Sequence, residues 1–142
     1  MLNFCTLFDS VYLSRGMAMY ESLCRRCSDF HLYIFAFDDI CYDFFYQHSF
    51  KNITVISLKE FEDEKLLAVK ESRSSGEYCW TCTPSVILYV LNHYNVENCT
   101  YIDADLLFFS SPNILIDEVG KDSVIITEHR YTKKYDQTET SG

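Results

Sequence analysis

The spacing of apolar positions changes several times along the chain, and each change predicts an element. Leu2 to Phe8 is a nearly continuous apolar run with Thr6 inside it, closed by Asp9-Ser10. Such a run predicts a strand buried on both faces and followed by a turn. The period then lengthens: Leu13, Met17, Tyr20 and Cys24 recur at three- and four-residue steps, with Arg25-Arg26 behind them. That spacing predicts a helix of about fourteen residues whose C-terminal end is met by cations. Phe30 to Phe37, aromatic and β-branched and closed by Asp38-Asp39, predicts a second strand. Ile40 to Phe50 then predicts a helix, and Ile53 to Leu58 a third strand.

Lys59 to Ser75 is the most polar stretch, and Glu60, Glu62, Asp63 and Glu64 predict a solvated helix face there. Ser72 to Gly76 predicts a flexible loop. Cys79 to Tyr94 predicts a helix with Pro84 in its first turn. Because Val86 to Leu91 is apolar all round, that helix should be buried. Cys99 to Asp103 predicts a fourth strand, Leu106 to Phe109 a further extended piece, and Ser110-Ser111-Pro112 a turn. Asn113 to Val119 predicts a short helix and Asp122 to Thr127 a last strand. Alternating strands and helices call for an α/β fold: a mostly parallel central sheet with helices on both faces. Residues 1–130 form the expected domain, and 131–142 a polar tail.

Composition narrows the function. The chain has 142 residues, 48% hydrophobic and 16% aromatic, enough for one core. A formal charge of −9 leaves no basic cluster to neutralise a phosphate backbone, which speaks against nucleic acid as a partner. No apolar run is long enough for a transmembrane segment, and Met1 to Ser10 lacks the basic start of a signal peptide. The seven cysteines then read as reduced thiols in a cytoplasmic protein. Two C-x-x-C pairs, Cys24/Cys27 and Cys79/Cys82, leave a zinc-stapled structural domain as one alternative, at a separation wider than ribbon spacing.

The candidate chemistry lies at Tyr101-Ile102-Asp103-Ala104-Asp105, an apolar strand that runs out at two acids. Side chains alternate along an extended chain, so Asp103 and Asp105 point one way and Ala104 the other. Paired hard oxygen ligands suit Mg²⁺ or Mn²⁺, which binds phosphate oxygens alongside one or two carboxylates. An acidic protein that holds a diphosphate needs such a cation between the two. Ligands of open parallel sheets sit beyond the carboxyl ends of the strands. If the first and fourth strands are neighbours, Asp9 joins Asp103 and Asp105 at one crevice.

Two stretches carry a resemblance: F-C-T-L-F-D-S-V-Y-L-S-R-G-M-A-M-Y-E-S-L from Phe4 to Leu23, and T-Y-I-D-A-D-L-L-F-F from Thr100 to Phe109. A third, E-Y-C-W-T-C-T-P-S from Glu77 to Ser85, opens the helix before the acidic strand. In this order they resemble nucleotide-sugar-dependent glycosyltransferases of the GT-A fold, particularly the group related to family 8. The resemblance implies a Rossmann-like GT-A three-layer sandwich that binds a nucleotide-diphospho-sugar, with UDP-hexose the favoured donor. It implies that Asp9 and Tyr12 hold base and ribose, with Thr6 lending main-chain contacts. Asp103 and Asp105 would grip Mn²⁺ or Mg²⁺ and Ala104 lie close to the sugar-nucleotide, while Arg15 adds charge beside the phosphates. It also implies an acceptor-binding half beyond Gly142 that supplies a third metal ligand. His129 has no counterpart in these motifs. The acceptor, saccharide or lipid-linked, and the stereochemical course stay open, as does a non-catalytic nucleotide-sugar-binding or interaction module. A haloacid-dehalogenase-like phosphatase would carry its acid pair after the first strand, where only Asp9-Ser10-Val11 stands.

Overall fold

A computed structural model of the chain describes residues 1–122, 125 and 126. The apolar run Leu2–Phe8 is strand β1, flanked on both sides in a four-stranded sheet of order β3-β2-β1-β4. Here β2 is Phe30–Ala36, β3 is Ile53–Ser57 and β4 is Thr100–Tyr101, and every pairing is parallel. Between them lie α1 (Leu13–Arg26), α2 (Asp39–Gln47), α3 (Leu58–Phe61), α4 (Glu64–Lys70) and α5 (Ser75–His93).

Period-two alternation divides the core into two layers. Phe4, Phe8, Phe30, Leu32 and Ile34 pack with Met19, Tyr20 and Leu23 of α1 and Cys41 and Phe45 of α2. Cys5, Leu7, Tyr33 and Phe35 face the other way, toward Phe61, Leu66 and the α5 side chains Tyr78, Cys82, Val86 and Val90. The result is a Rossmann-like three-layer α/β fold, as the alternation predicts. From β1 to β3 the chain steps across the sheet with α1 and α2 on one face. It then returns over the opposite face through α5 and sets β4 on the free side of β1. Crossovers of one hand must change face when the direction of travel reverses.

α1 packs so tightly on β1 that a Cβ on Gly16 would lie 2.5 Å from Cζ of Phe8. α2 starts at Asp39 rather than Ile40, because Asp38 caps it by accepting from Cys41 N at 2.7 Å.

Several expectations are corrected. α5 begins at Ser75, where Ser74 and Glu77 form a capping box: the Ser74 hydroxyl accepts from Glu77 N, and Glu77 Oε2 accepts from Ser74 N at 2.8 Å. Ser72 to Gly76 is thus the entry to a helix, not a flexible loop. Pro84 falls in the helix interior, where it has no N–H for the Trp80 carbonyl. Trp80 and Leu88 are 75% and 58% exposed, so the outer face of α5 is apolar and uncovered rather than buried. The acidic cluster is not all solvated either: the Glu62 side chain is only 9% exposed and takes Lys70 Nζ and, at 2.7 Å, the Tyr78 hydroxyl.

The fourth strand is shorter than Cys99 to Asp103; its ladder covers Thr100–Tyr101 and gains one bond from Ile102 N to Cys5 O at 2.9 Å. Leu106 to Phe109 is not extended ladder. Leu106 N turns back to Asp103 O at 3.3 Å, and Phe108 N donates to the buried Ser22 Oγ at 3.0 Å. A side chain of α1 thereby takes the place of a strand partner. The Phe108 ring follows, 6.4 Å from that of Phe4.

Met1–Ser111 is one unit and Pro112–Gly142 another. The second holds α6 (Asn113–Val119), which matches the predicted helix and closes at Gly120 with φ of 52°. A left-handed residue of that kind favours glycine. Most of the predicted strand Asp122 to Thr127, His129 and the polar tail lie outside the described residues. Among the described residues no helix is long and apolar enough to cross a membrane.

Candidate functional site

β1 and β4 are the strands between which the chain reverses its direction across the sheet. They pair as Phe4↔Thr100 and Cys5↔Tyr101 and end at the same edge. Crevices of open α/β sheets form at this switch point, beyond the carboxyl ends. Asp9 follows β1 and Asp103 follows β4. Both continue the alternation that turns Cys5, Leu7 and Tyr101 toward the α5 layer.

α5 packs behind this edge, with Cys79 and Tyr101 in one apolar cluster. Burial raises the Cys79 thiol above its usual range, and the charge of Asp9 raises it further. Thr83 Oγ1 donates to the Cys79 carbonyl at 3.1 Å. Tyr101 is half-buried and packs against the α5 layer. Burial lifts that phenol to about 12; Thr83 opposes the rise and Asp103 adds to it. Cys79 and Thr83 are one helical turn apart, roughly 6 Å of rise.

Asp9 also shapes its own loop. Its Oδ1 accepts from Val11 N at 3.0 Å and Tyr12 N at 3.3 Å, an Asx-type turn that leads into α1. Ser10 is bound by its neighbour across the sheet: its N–H and hydroxyl donate to Asp38 Oδ2 at 2.8 and 2.6 Å. Burial tends to raise the Asp38 carboxyl, but the Ser10 and Cys41 hydrogen bonds outweigh that and hold it below the usual carboxylate range.

Asp103 and Asp105 are exposed, whereas Ile102 and Ala104 between them are each 6% exposed. The anticipated alternation thus survives although the chain is already turning. Ala104 packs in the α1 layer. Thr6 is fully buried, its main chain in register with Ile34, and Oγ1 has no hydrogen-bond partner. Tyr12 is 40% exposed at the start of α1, and the exposed Arg15 sets its guanidinium 4.5 Å from the ring centre. One face of Tyr12 is thus already occupied by a cation. The structure brings Asp9, Asp103 and Asp105 to one edge; it sets Thr6 lower in the sheet and Ala104 in the packing beneath.

Asp38 is a residue of this edge that sequence reasoning passed over. Asp38 was legible as a cap before a helix, but its bond to Ser10 spans 28 positions and needs the β1–β2 pairing. Among the described residues, no group of three or more His, Cys, Asp or Glu side chains is placed to hold a metal ion. The C-x-x-C pairs do not converge: Cys27 packs in the α1 layer, and Cys79 and Cys82 on the opposite face of the sheet. A separate cavity of about 220 Å³ opens beyond β2 and β3, lined by Asp38, Tyr42, Lys59, Glu62 and Lys70. Asp38 and Glu62 are already engaged there by Ser10 and Lys70.

No protein-family model matches the chain. It is 33% identical over 134 residues to the uncharacterized protein YfnD of Bacillus subtilis (strain 168), across 94% of this chain and 43% of YfnD. It is 30% identical over 125 residues to the uncharacterized protein YfnF of the same organism, across 87% of this chain and 41% of YfnF. The chain thus spans about two fifths of the length of these curated relatives.

Proposed function

We propose that the chain is the donor-binding domain of a nucleotide-sugar-dependent glycosyltransferase. The observation that supports this reading is the pairing of β1 with β4, the strands that Asp9 and Asp103 follow, at the reversal of strand order. The edge has what a nucleoside diphosphate needs. Asp9 keeps a carboxylate oxygen for base or ribose groups, and Tyr12 has one ring face uncovered. Arg15 adds positive charge close by.

The donor set fits a hard divalent ion. Asp103 and Asp105 offer exposed carboxylates, and Mg²⁺ or Mn²⁺ takes one or two of these together with phosphate oxygens and water. Bound there, the ion supplies charge neutralisation for the departing nucleoside diphosphate. The protein's part is to orient the donor against the α5 turn while its glycosyl group passes to an acceptor hydroxyl. UDP-hexose is the donor we favour, with a saccharide or lipid-linked acceptor. We place the activity in the cytoplasm, where thiols such as Cys5, Cys41 and Cys82 stay reduced.

Titration calorimetry of the purified chain with UDP, with and without Mn²⁺, tests the reading. Binding that requires the metal is expected. No UDP binding in saturating Mn²⁺ overturns it. A UDP-binding chain that neither hydrolyses nor transfers any nucleotide-sugar is a binding module instead.

A further inference from the structure

The backbone pairing of β1 with β2 runs one bond past the strands, from Phe37 N to Phe8 O at 2.9 Å. Continuing the register Phe8↔Ala36 by two positions sets Ser10 opposite Asp38, and there a side chain takes over from the backbone. The N–H and hydroxyl of Ser10 both donate to Asp38 Oδ2, at 2.8 and 2.6 Å. Oδ1 of the same carboxylate accepts from Cys41 N in the first turn of α2 at 2.7 Å. Three donors hold this one group, and hydrogen bonds to an ionised acceptor are short and strong.

On the other side of Ser10 stands Asp9. Its Oδ1 accepts from Val11 N and Tyr12 N, whereas its Oδ2 accepts no hydrogen bond among the described residues. Tyr12 is the N-cap of α1 and makes no side-chain cap bond of its own. The turn from Asp9 to Tyr12 is thus tied to β1 at its start and to Asp38 at Ser10. These two ties set where the Asp9 carboxylate and the Tyr12 ring stand. A group held in its binding geometry before the ligand arrives loses less freedom on association.

We propose that Asp38 is a positioning residue of the donor site, holding Asp9 and Tyr12 through Ser10 in the arrangement that receives the nucleoside. This role rests on the donor-site reading above. Asp38 does not touch the nucleotide, since both its oxygens are taken by Ser10 and Cys41.

The test titrates wild type, Ser10→Ala, Ser10→Thr and Asp38→Asn with UDP and, separately, with inorganic pyrophosphate, both in Mn²⁺. Ser10→Ala removes only the hydroxyl and is expected to weaken UDP binding about tenfold. Ser10→Thr, which keeps the hydroxyl, should bind UDP nearly as wild type does. Asp38→Asn, left with one side-chain oxygen for all three donors, should weaken UDP binding at least as much as Ser10→Ala. Pyrophosphate binding does not use Asp9 or Tyr12 and should be unaltered in every variant. In an Asp9→Asn background the effect of Ser10→Ala should shrink, because residues that act through one another are not additive. A Ser10→Ala variant with wild-type UDP affinity overturns the positioning role while leaving the donor site intact. Equal weakening of UDP and pyrophosphate binding, or full additivity with Asp9→Asn, marks a purely structural effect and also overturns it. A wild-type chain with no Mn²⁺-dependent UDP binding removes the donor-site reading, and this role with it.

Discussion

The Ser10 hydroxyl donates to Asp38 Oδ2 at 2.6 Å, so the loop that leaves β1 is fastened to the residue that caps α2. One carboxylate thus serves two strand ends, taking Ser10 on Oδ2 and Cys41 N on Oδ1 at 2.7 Å. Hydrogen bonds to an ionised acceptor are worth more than neutral ones, about 1.5–3 kcal/mol each. Asp38→Ala is therefore expected to destabilise the fold by about 2–4 kcal/mol, read by urea denaturation. The acid side of the stability profile follows from the depressed carboxyl. Its contribution is fully present above the unfolded-state value near pH ~4 and fades as pH falls through the folded-state value. Asp38→Asn should flatten that acid limb; a limb identical to wild type would show that Asp38 is not its source.

Gly16 faces Phe8 where no side chain fits, since an added Cβ would meet Cζ at 2.5 Å. Alanine improves helix propensity by about 1 kcal/mol, yet it overpacks the α1–β1 contact by about 1–3 kcal/mol. Gly16→Ala should lower Tm, and a rise in Tm would show that Phe8 swings aside freely.

Pro84 interrupts the backbone ladder of α5 from an exposed position. Proline in a helix interior is about 3 kcal/mol less favourable than alanine. Because the native helix has already adapted, Pro84→Ala should recover part of that, about 1–2 kcal/mol, with the gain visible in chemical denaturation. An unchanged or lowered midpoint would mean that the bend it imposes is needed for packing on the sheet.

Asp103 and Asp105 are exposed and lie past the strand they follow. Replacing both with asparagine should leave the circular dichroism spectrum and Tm near wild type while eliminating Mn²⁺-dependent UDP binding. Retention of that binding would contradict the metal assignment.

The layers were readable because β1 and β2 are buried on both faces and α1 shows a clear apolar stripe. β4 was harder. Its ladder covers only Thr100–Tyr101, and its place beside β1 depends on the crossover through α5, not on local pattern. Leu106 to Phe109 has strand composition but bonds to the side chain of Ser22, a choice set by tertiary proximity. The start of α5 was legible and passed over: Ser74-Ser75-Gly76-Glu77 spells a capping box, obscured by the loop-like run around it. The pair Asp103/Asp105 was evident from spacing. Glu62 looked solvated because nothing local shows that Lys70 and the Tyr78 hydroxyl close over it.

α1 begins at the Asp9 turn, and farther along the same helix Ser22 receives the amide of Phe108. The segments that follow β1 and β4 are thus both fastened to one helix. Strand ends tied to the same helix move with it, so the spacing of the two segments is a property of α1.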